Sequence, residues 1–571
     1  MANFFNKAKK IEIIQVIVIY SIFIITGLLV FKDYGVSVDE WELRVLGFAN
    51  LKYVIETILQ GSAENLDKIL PIPSLSSHLG THGALFALPT AYLEYFFNIE
   101  DSKNYYLFRH YLNHIIFIIA NFYFFLLVKN KYNNFFYGIL GSLFLFLSPR
   151  IFAESFYNHK DLLFLSLFII NLYYAINFLK SPSVKNSLLF SLTTALSIDI
   201  RIMGIIIAPL VILLCFLKYL RNKKFKVFKG ITIYLICFPL ITILFWPYLW
   251  ENPIINFLET FKILGDYKWE GYNFYLGKYY LSSNLPWHYP LVWISITTPF
   301  FYLFLFLYGF TNYSLRIKNR LFKIEKGNKL DDFWRGDIEL QDLIFFILFL
   351  VPILIVIIFN STLYNAWRHL YFVYPCFLMI SLQGLYLINL KYFKKKEFLF
   401  KSLIALLIIQ IIYVMIKNHP YQNVYFNFLA GKNIEKKFEL DYWGLSNKQA
   451  FEYILNNDDK NRILIGSAGS ISLNNSKQIL NSKKRNRIHI FFLSKFIFIG
   501  LLFFSCSGSE DQEQINPIIE PRFTFHQDLN KLYFAITVES KYEGSTLDSV
   551  VAYWYGTSKE NSPDIIDLHD D

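Results

Sequence analysis

Apolar runs of about 20 residues recur along the chain between short polar stretches, the length at which a helix crosses the hydrocarbon of a bilayer. These runs predict spans at 12–31, 107–128, 135–151, 162–179, 186–200, 203–220, 229–248, 290–310, 342–360, 370–390 and 400–417. A further run, 83–98, is shorter and carries Pro89 and Glu94. Loop charge decides its place, because Lys and Arg gather on the cytoplasmic side. With 83–98 lying along the surface, "NKAKK", "KNKYNN", "KSPSVK", "RNKKFKVFK", "RIKNRLFK" and "KYFKKK" all share one side. If 83–98 crosses, every later cluster changes side. The pattern therefore predicts an all-α polytopic membrane protein of about eleven spans with its amino terminus in the cytoplasm. Residues 32–106, 148–161, 249–289, 364–369 and everything after 418 then lie outside.

Composition agrees: 54% of the 571 residues are hydrophobic and 19% aromatic, with mean hydropathy +0.36. A soluble chain of several domains is excluded. The net charge of +11 is divided, since residues 507–571 hold 13 acidic and 4 basic side chains and the remainder holds the basic excess. Cytoplasmic loops account for that excess without a nucleic-acid partner. Cys215, Cys237 and Cys376 sit in apolar runs as buried hydrophobes. No HExxH, Walker, CxxC or GxSxG pattern occurs, so no soluble nucleotide or zinc site is indicated.

Polar groups at the edges of these runs carry the candidate chemistry. Asp39 and Glu40, in "SVDEWELR", follow the first span directly. Adjacent carboxylates disfavour each other's ionisation, which suits one of them to act as a base. They also read as a hydrated loop start. "SPRIFAESFYNHKD" packs Arg150, Glu154, Asn158, His159, Lys160 and Asp161 between two spans. A helix cap explains Asp161 alone but not the whole cluster. Arg201, in "LSIDIRIMGII", sits two residues from Asp199, and positions i and i+2 point apart on a helix. A break between half-spans there would leave Arg201 facing an anion. Arg368 and His369, in "YNAWRHLYFVYP", suit phosphate recognition or an interfacial belt, and in "LPWHYP" Trp287 and Tyr289 suit a belt with His288 as a polar tip. "GSAGS" (466–470) reads as a turn, since it lacks a phosphate-loop pattern.

The motifs taken in order resemble the integral-membrane glycosyltransferases of the GT-C fold, among them protein O-mannosyltransferases and lipid A aminoarabinose transferases. The resemblance covers roughly residues 10–480. It rests on "SVDEWELR", "HLGTHGALFALP", "RHYLNHIIF", "SPRIFAESFYNHKD", "RIMGI", "WPYLW", "LPWHYP", "YNAWRHLYFVYP" and "HPYQNVYFN…DYWG". It implies a polyprenyl-phosphate sugar donor and inverting transfer to a hydroxyl of a protein, lipid or glycan on the outer face of a bacterial inner membrane. By resemblance Asp39 is the general base, Glu40 positions the acceptor and Asp161 is a second-loop acid. Arg150, Lys160, Arg201, Arg368 and His369 are the candidates for the donor phosphate, and His82, Trp287 and His288 for the acceptor and donor pocket. Segment 83–98 matches the amphipathic juxtamembrane helices of that fold. No cofactor is implied with certainty, and a divalent metal is left open because relatives differ on this point. A lipid-linked sugar flippase and an oligosaccharyltransferase-like enzyme remain the alternatives. Against the flippase, the sequence shows no internal repeat and its polar clusters lie at span ends.

The carboxyl-terminal part departs from the resemblance. The transmembrane domain (1–417) is followed by a short outer α/β segment (418–482). "KKRNRIHIFFLSKFIFIGLLFFSCSGSEDQE" (483–513) then reads as a lipoprotein signal, with its apolar segment at 483–506 and Cys506 at its end. The acidic remainder, 507–571, alternates in "RFTFHQDL", "KLYFAITVES" and "SVVAYWYG", which predicts β-strands. Two joined reading frames, or a true tail anchor, would each account for this arrangement.

Overall fold

Helices form over most of the predicted apolar runs, and proline marks several of their breaks. The computed structural model describes residues 9–222, 226–322 and 334–492, apart from 62, 68, 71, 76, 266, 268 and 468–470. It also describes strands at 522–528, 531–537, 550–554 and 564–568. The first helices are α1 (Lys10–Val30), α2 (Glu40–Thr57), α3 (Ala87–Phe96) and α4 (Ser102–Tyr132). Next come α5 (Phe135–Phe146), α6 (Pro149–Tyr157), α7 (Asp161–Lys180), α8 (Val184–Ile200), α9 (Ile207–Asn222) and α10 (Lys226–Phe245). A surface helix, α11 (Pro253–Gly265), and a hairpin of β1 (Tyr272–Tyr275) and β2 (Lys278–Leu281) precede α12 (Tyr289–Thr297). Then follow α13 (Phe300–Phe322), α14 (Gly336–Ile358), α15 (Tyr374–Tyr392), α16 (Glu397–Lys417) and α17 (Asn447–Asn457).

The chain is a largely helical, polytopic membrane protein. Among the described residues 8 helices are long and apolar enough to cross a membrane, or 9 if the pair α5 and α6, bent by 65°, is one span. The bend falls at Pro149, which cannot continue the bonding of α5. Two of the eleven predicted spans take a different form. Segment 186–200 lies in a helix of only 17 residues. Segment 290–310 is cut at Thr298, whose extended backbone (φ −96°, ψ 141°) is the usual conformation before a proline, here Pro299. Helix α7 is buried along most of its length, while α1 and α10 turn most of their apolar side chains outward, as a lipid-facing rim requires. Where α13 crosses α15, a Cβ on Gly309 or Gly384 would collide with a backbone carbonyl of the other helix. Small residues bring two apolar helices that close.

Helix α3 holds the run whose place was ambiguous. Its 10 residues rise about 15 Å, half of a hydrocarbon core, so it does not cross. Glu94 is buried, and its carboxylate accepts from Arg44 Nε and NH2 at 2.9 and 2.6 Å and from Arg109 NH2 at 2.8 Å. The Arg44 guanidinium also lies 3.9 Å from the Tyr105 ring centroid. This ion triad ties α3 to α2 and to the start of α4, and gives the charged residue in the apolar run its purpose. At the other end of α4, Lys131 pairs with Asp342, which also accepts from Arg316 NH2 at 2.8 Å, fastening α4, α13 and α14 together.

Residues 418–446 make three short 3₁₀ turns and belong with the helical unit, which comprises 1–457 and 475–485. They dock on the loop after α1: Tyr34 OH donates to Gln422 Oε1 (2.9 Å), and His419 Nε2 lies 2.8 Å from Asp33 Oδ2. The second unit, 458–474 with 486–571, contains β3 (Ile463–Ser467) paired in parallel with β4 (Ile488–Phe492). It also contains two antiparallel pairs, 522–528 with 531–537 and 550–554 with 564–568; the first three strands coincide with the alternating runs, and the fourth, 564–568, lies outside them. The lipoprotein-like residues 493–506, with Cys506, and residues 468–470 of "GSAGS" lie outside the described residues.

Glu94→Ala would leave two buried guanidinium groups without their shared partner. The expected loss is about 3–5 kcal/mol, read as a large drop in melting temperature of the purified protein. An unchanged melting temperature would contradict the role given to the triad.

Candidate functional site

Four chain segments meet at a common end of the spans. The loop after the carboxyl end of α1 carries Asp39, and the turn before α7 carries Lys160 and Asp161. The end of α8 carries Arg201, and the 3₁₀ turn leading into α15 carries Arg368. Each segment enters or leaves a span, and the alternation of direction puts all four on the same side.

The turn at 158–161 is built by Asn158. Its Oδ1 accepts from the backbone N–H of Asp161 (2.8 Å), and its Nδ2 donates to Glu154 Oε2 (2.8 Å) and Asp161 Oδ2 (3.2 Å). The Asp161 carboxylate is thereby aimed at two guanidinium groups. It pairs with Arg201, and its Oδ2 lies 3.5 Å from Arg368 NH1. Arg201 reaches it because α8 does break there: Arg201 is extended (φ −148°, ψ 129°) before a 3₁₀ turn. Asp199 is not its partner. The Asp199 Oδ1 accepts from the backbone N–H of Leu85 at 2.8 Å, against a close approach that only Gly83 permits.

Asp39 and Glu40, adjacent in sequence, part company. Asp39 Oδ2 accepts from Arg368 NH1 at 2.9 Å, with its side chain 34% exposed. Glu40 turns inward and is buried. Its Oε1 accepts from the backbone N–H of Ser37 (2.6 Å), and its Oε2 lies 2.9 Å from His110 Nε2 and 3.9 Å from His159 Nε2. Burial, with His110 and Arg109 nearby, pushes His159 well below the usual histidine range. Glu40 thus shapes the loop that presents Asp39, and its carboxylate does not face the open side.

The remaining predicted residues divide into two groups. Lys160 lies 3.5 Å from His82 Nδ1. Both line a cleft whose other walls include Leu43, Phe86, Ala87 and Ile200. Burial, with Arg201 beside it, brings the Lys160 ammonium down to about 8. His369 packs edge-on against Tyr364, ring centroids 4.4 Å apart. The others stand off the carboxylate cluster. Arg150 is buried between the rings of Trp293 and Phe426 (5.6 and 5.7 Å), on the Glu154 side. His288 Nδ1 is held by Tyr275 OH at 2.6 Å, and Trp287 is 66% exposed, which fits the belt reading of both.

Several further residues complete the site. Glu154 Oε1 accepts from Tyr371 OH (2.6 Å) and Tyr442 OH (3.1 Å). The Arg368 guanidinium lies 4.7 Å from the ring of Tyr364 and 4.7 Å from that of Trp443. Glu439, close by, has its carboxyl pushed up to about 7 by burial. Tyr442 and Trp443 belong to "DYWG", a legible motif whose contacts only the folded chain reveals. Among the described residues no three His, Cys, Asp or Glu side chains converge as a metal ion would require.

No protein-family model matches the chain, and no curated protein matches it significantly. Fold and site together define a multi-pass helical membrane protein with a mixed-charge cluster where several spans end.

Asp161→Asn should lower the melting temperature much more than Asp39→Asn. Asp161 is buried against two guanidinium groups, whereas the Asp39 pair is partly screened by solvent. Equal effects, or the reverse order, would contradict this placement.

Proposed function

We propose that the protein is a GT-C-type glycosyltransferase. It moves a sugar from a polyprenyl-phosphate donor to a hydroxyl acceptor on the outer face of a bacterial inner membrane. One observation carries the reading: a partly exposed carboxylate, Asp39, is anchored by Arg368 in a cluster with more strong cations than carboxylates. Asp39 and Asp161 supply two negative charges, Glu439 beside Arg368 is only part-ionised, and Lys160, Arg201 and Arg368 supply three positive ones. The surplus favours an anionic ligand, and burial among apolar helices strengthens that attraction. Beside Lys160 a small cleft is walled by Leu43, Leu46, Phe86, Ala87 and Ile200 together with His82 and His159, and in this reading the lipid-linked phosphate enters along that wall.

In this reading the acceptor oxygen attacks the anomeric carbon from the face opposite the phosphate and transfers its proton to Asp39. The bond to the phosphate oxygen breaks with its electron pair, leaving polyprenyl phosphate. Positive charge at the site, Lys160 above all, holds the charge gathering on the leaving group. Inversion follows from the single displacement. The eleven-span arrangement, with the amino terminus in the cytoplasm, rests on the basic clusters and puts Asp39 outside. Polar groups at span ends, rather than mid-membrane, favour transfer over transport.

Asp39→Asn keeps the shape but cannot take the proton. Turnover of a radiolabelled polyprenyl-phosphate sugar should fall at least about a hundredfold while the protein still inserts and folds. Wild-type turnover in this variant would remove Asp39 as the base, and translocation of the donor without transfer would favour a flippase.

The titration of Lys160 adds a second expectation. The ammonium is charged below about 8 and neutral above it, so polyprenyl-phosphate binding should weaken from about pH 7 to about pH 9. Lys160→Arg should abolish most of that weakening, since guanidinium stays charged throughout. A pH dependence unaltered in Lys160→Arg would exclude Lys160 from the anion site.

A further inference from the structure

We propose that Arg368 acts on Asp39 and not on the donor: it is the positioning residue that fixes the base, and Lys160 is the cation left to meet the phosphate. The inference rests on the reading of Asp39 as the base, and it divides labour among cations that the sequence alone could not separate.

Access is the first argument. The Arg368 side chain is 5% exposed. Two aromatic rings, Tyr364 and Trp443, pack against its guanidinium, each centroid 4.7 Å from its carbon. Its NH1 already serves Asp39 at 2.9 Å and Asp161 at 3.5 Å, and its buried Nε has no hydrogen-bond partner. An arriving phosphate would find NH1 already engaged by two carboxylates. A planar guanidinium buried beside two aromatic rings suits a rigid mount. It engages Oδ2 of Asp39, a side chain 34% exposed, and leaves Oδ1 without a hydrogen bond among the described residues.

Lys160 is the complement. It is half-buried, and its ammonium makes a hydrogen bond only with His82 among the described residues, at 3.5 Å. It lines the apolar cleft, which Arg368 does not. Arg201 lies between the two cases, 21% exposed but paired to Asp161.

The experiment uses the full-length protein in nanodiscs, with undecaprenyl phosphate as the binding probe and transfer of a radiolabelled polyprenyl-phosphate sugar as the activity. Arg368→Lys should lower kcat by about tenfold or more while donor KM and the probe's Kd stay within about twofold. Trp443→Leu, which removes a ring packed against the guanidinium and keeps the charge, should give the same kcat-only loss. Lys160→Gln should raise the probe's Kd by about tenfold or more, with no such change for undecaprenol, which lacks the phosphate. Should Arg368→Lys weaken the probe as Lys160→Gln does, with kcat unchanged, Arg368 is a phosphate ligand and the inference falls. The binding arm stands apart from chemistry. A wild-type protein that binds the probe yet transfers no sugar would overturn the proposed transfer, and with it the part assigned to Arg368.

Discussion

The chain of ion pairs Asp39–Arg368–Asp161–Arg201 is the constraint around which the helical unit is arranged. Its inner members, Arg368 and Asp161, lie where water is scarce, and a charge left unpaired there costs several kcal/mol. The pairs close only if four segments, the outermost separated by 329 positions, arrive at one place. That requirement sets the break in α8, the turn that Asn158 builds before α7, and the placing of the 3₁₀ turn ahead of α15. It also explains why Glu40 is buried: the loop bearing Asp39 is held from below by His110, so that Asp39 can be held from the side by Arg368.

The same cluster is balanced unevenly, and the unevenness is what connects it to the proposed transfer. Two carboxylates do not neutralise three strong cations, and only one cation, Lys160, borders the apolar cleft. The segment after α16 covers the opposite side. Its Trp443 stacks on Arg368, and its Tyr442 reaches Glu154, which Asn158 links to Asp161. A membrane scaffold thus supplies the charges, and a non-membrane segment orients them.

How much of this the sequence disclosed depended on the physics of each element. Apolar runs announce spans because bilayer thickness fixes their length, and ionisable residues at their edges stand out because they are costly there. Asp39, Asp161, Arg201 and Arg368 were legible for that reason, and so was the break at Arg201. Tertiary partners were not. Nothing local to Glu94 says that Arg44 and Arg109 will enclose it, and nothing local to Arg150 separates it from Lys160, ten positions on. Aromatic abundance hid Tyr442 and Trp443 among many similar residues. The cut at Pro299 was readable in principle, but the run of apolar residues on both sides masked it. Glu40 was misleading in an instructive way: adjacency in sequence suggested a shared task, whereas the start of α2 sends the two carboxylates in different directions.

The central claim is that this cluster and its cleft receive a lipid-linked phosphate beside Asp39. A cryo-electron microscopy map of the protein in nanodiscs with undecaprenyl phosphate tests it most directly. The account predicts phosphate density in contact with Lys160, with the prenyl chain leaving between Phe86 and Ile200 alongside α3. Density for the lipid phosphate elsewhere, for instance beside Trp287 and His288 and away from Asp39, would contradict it.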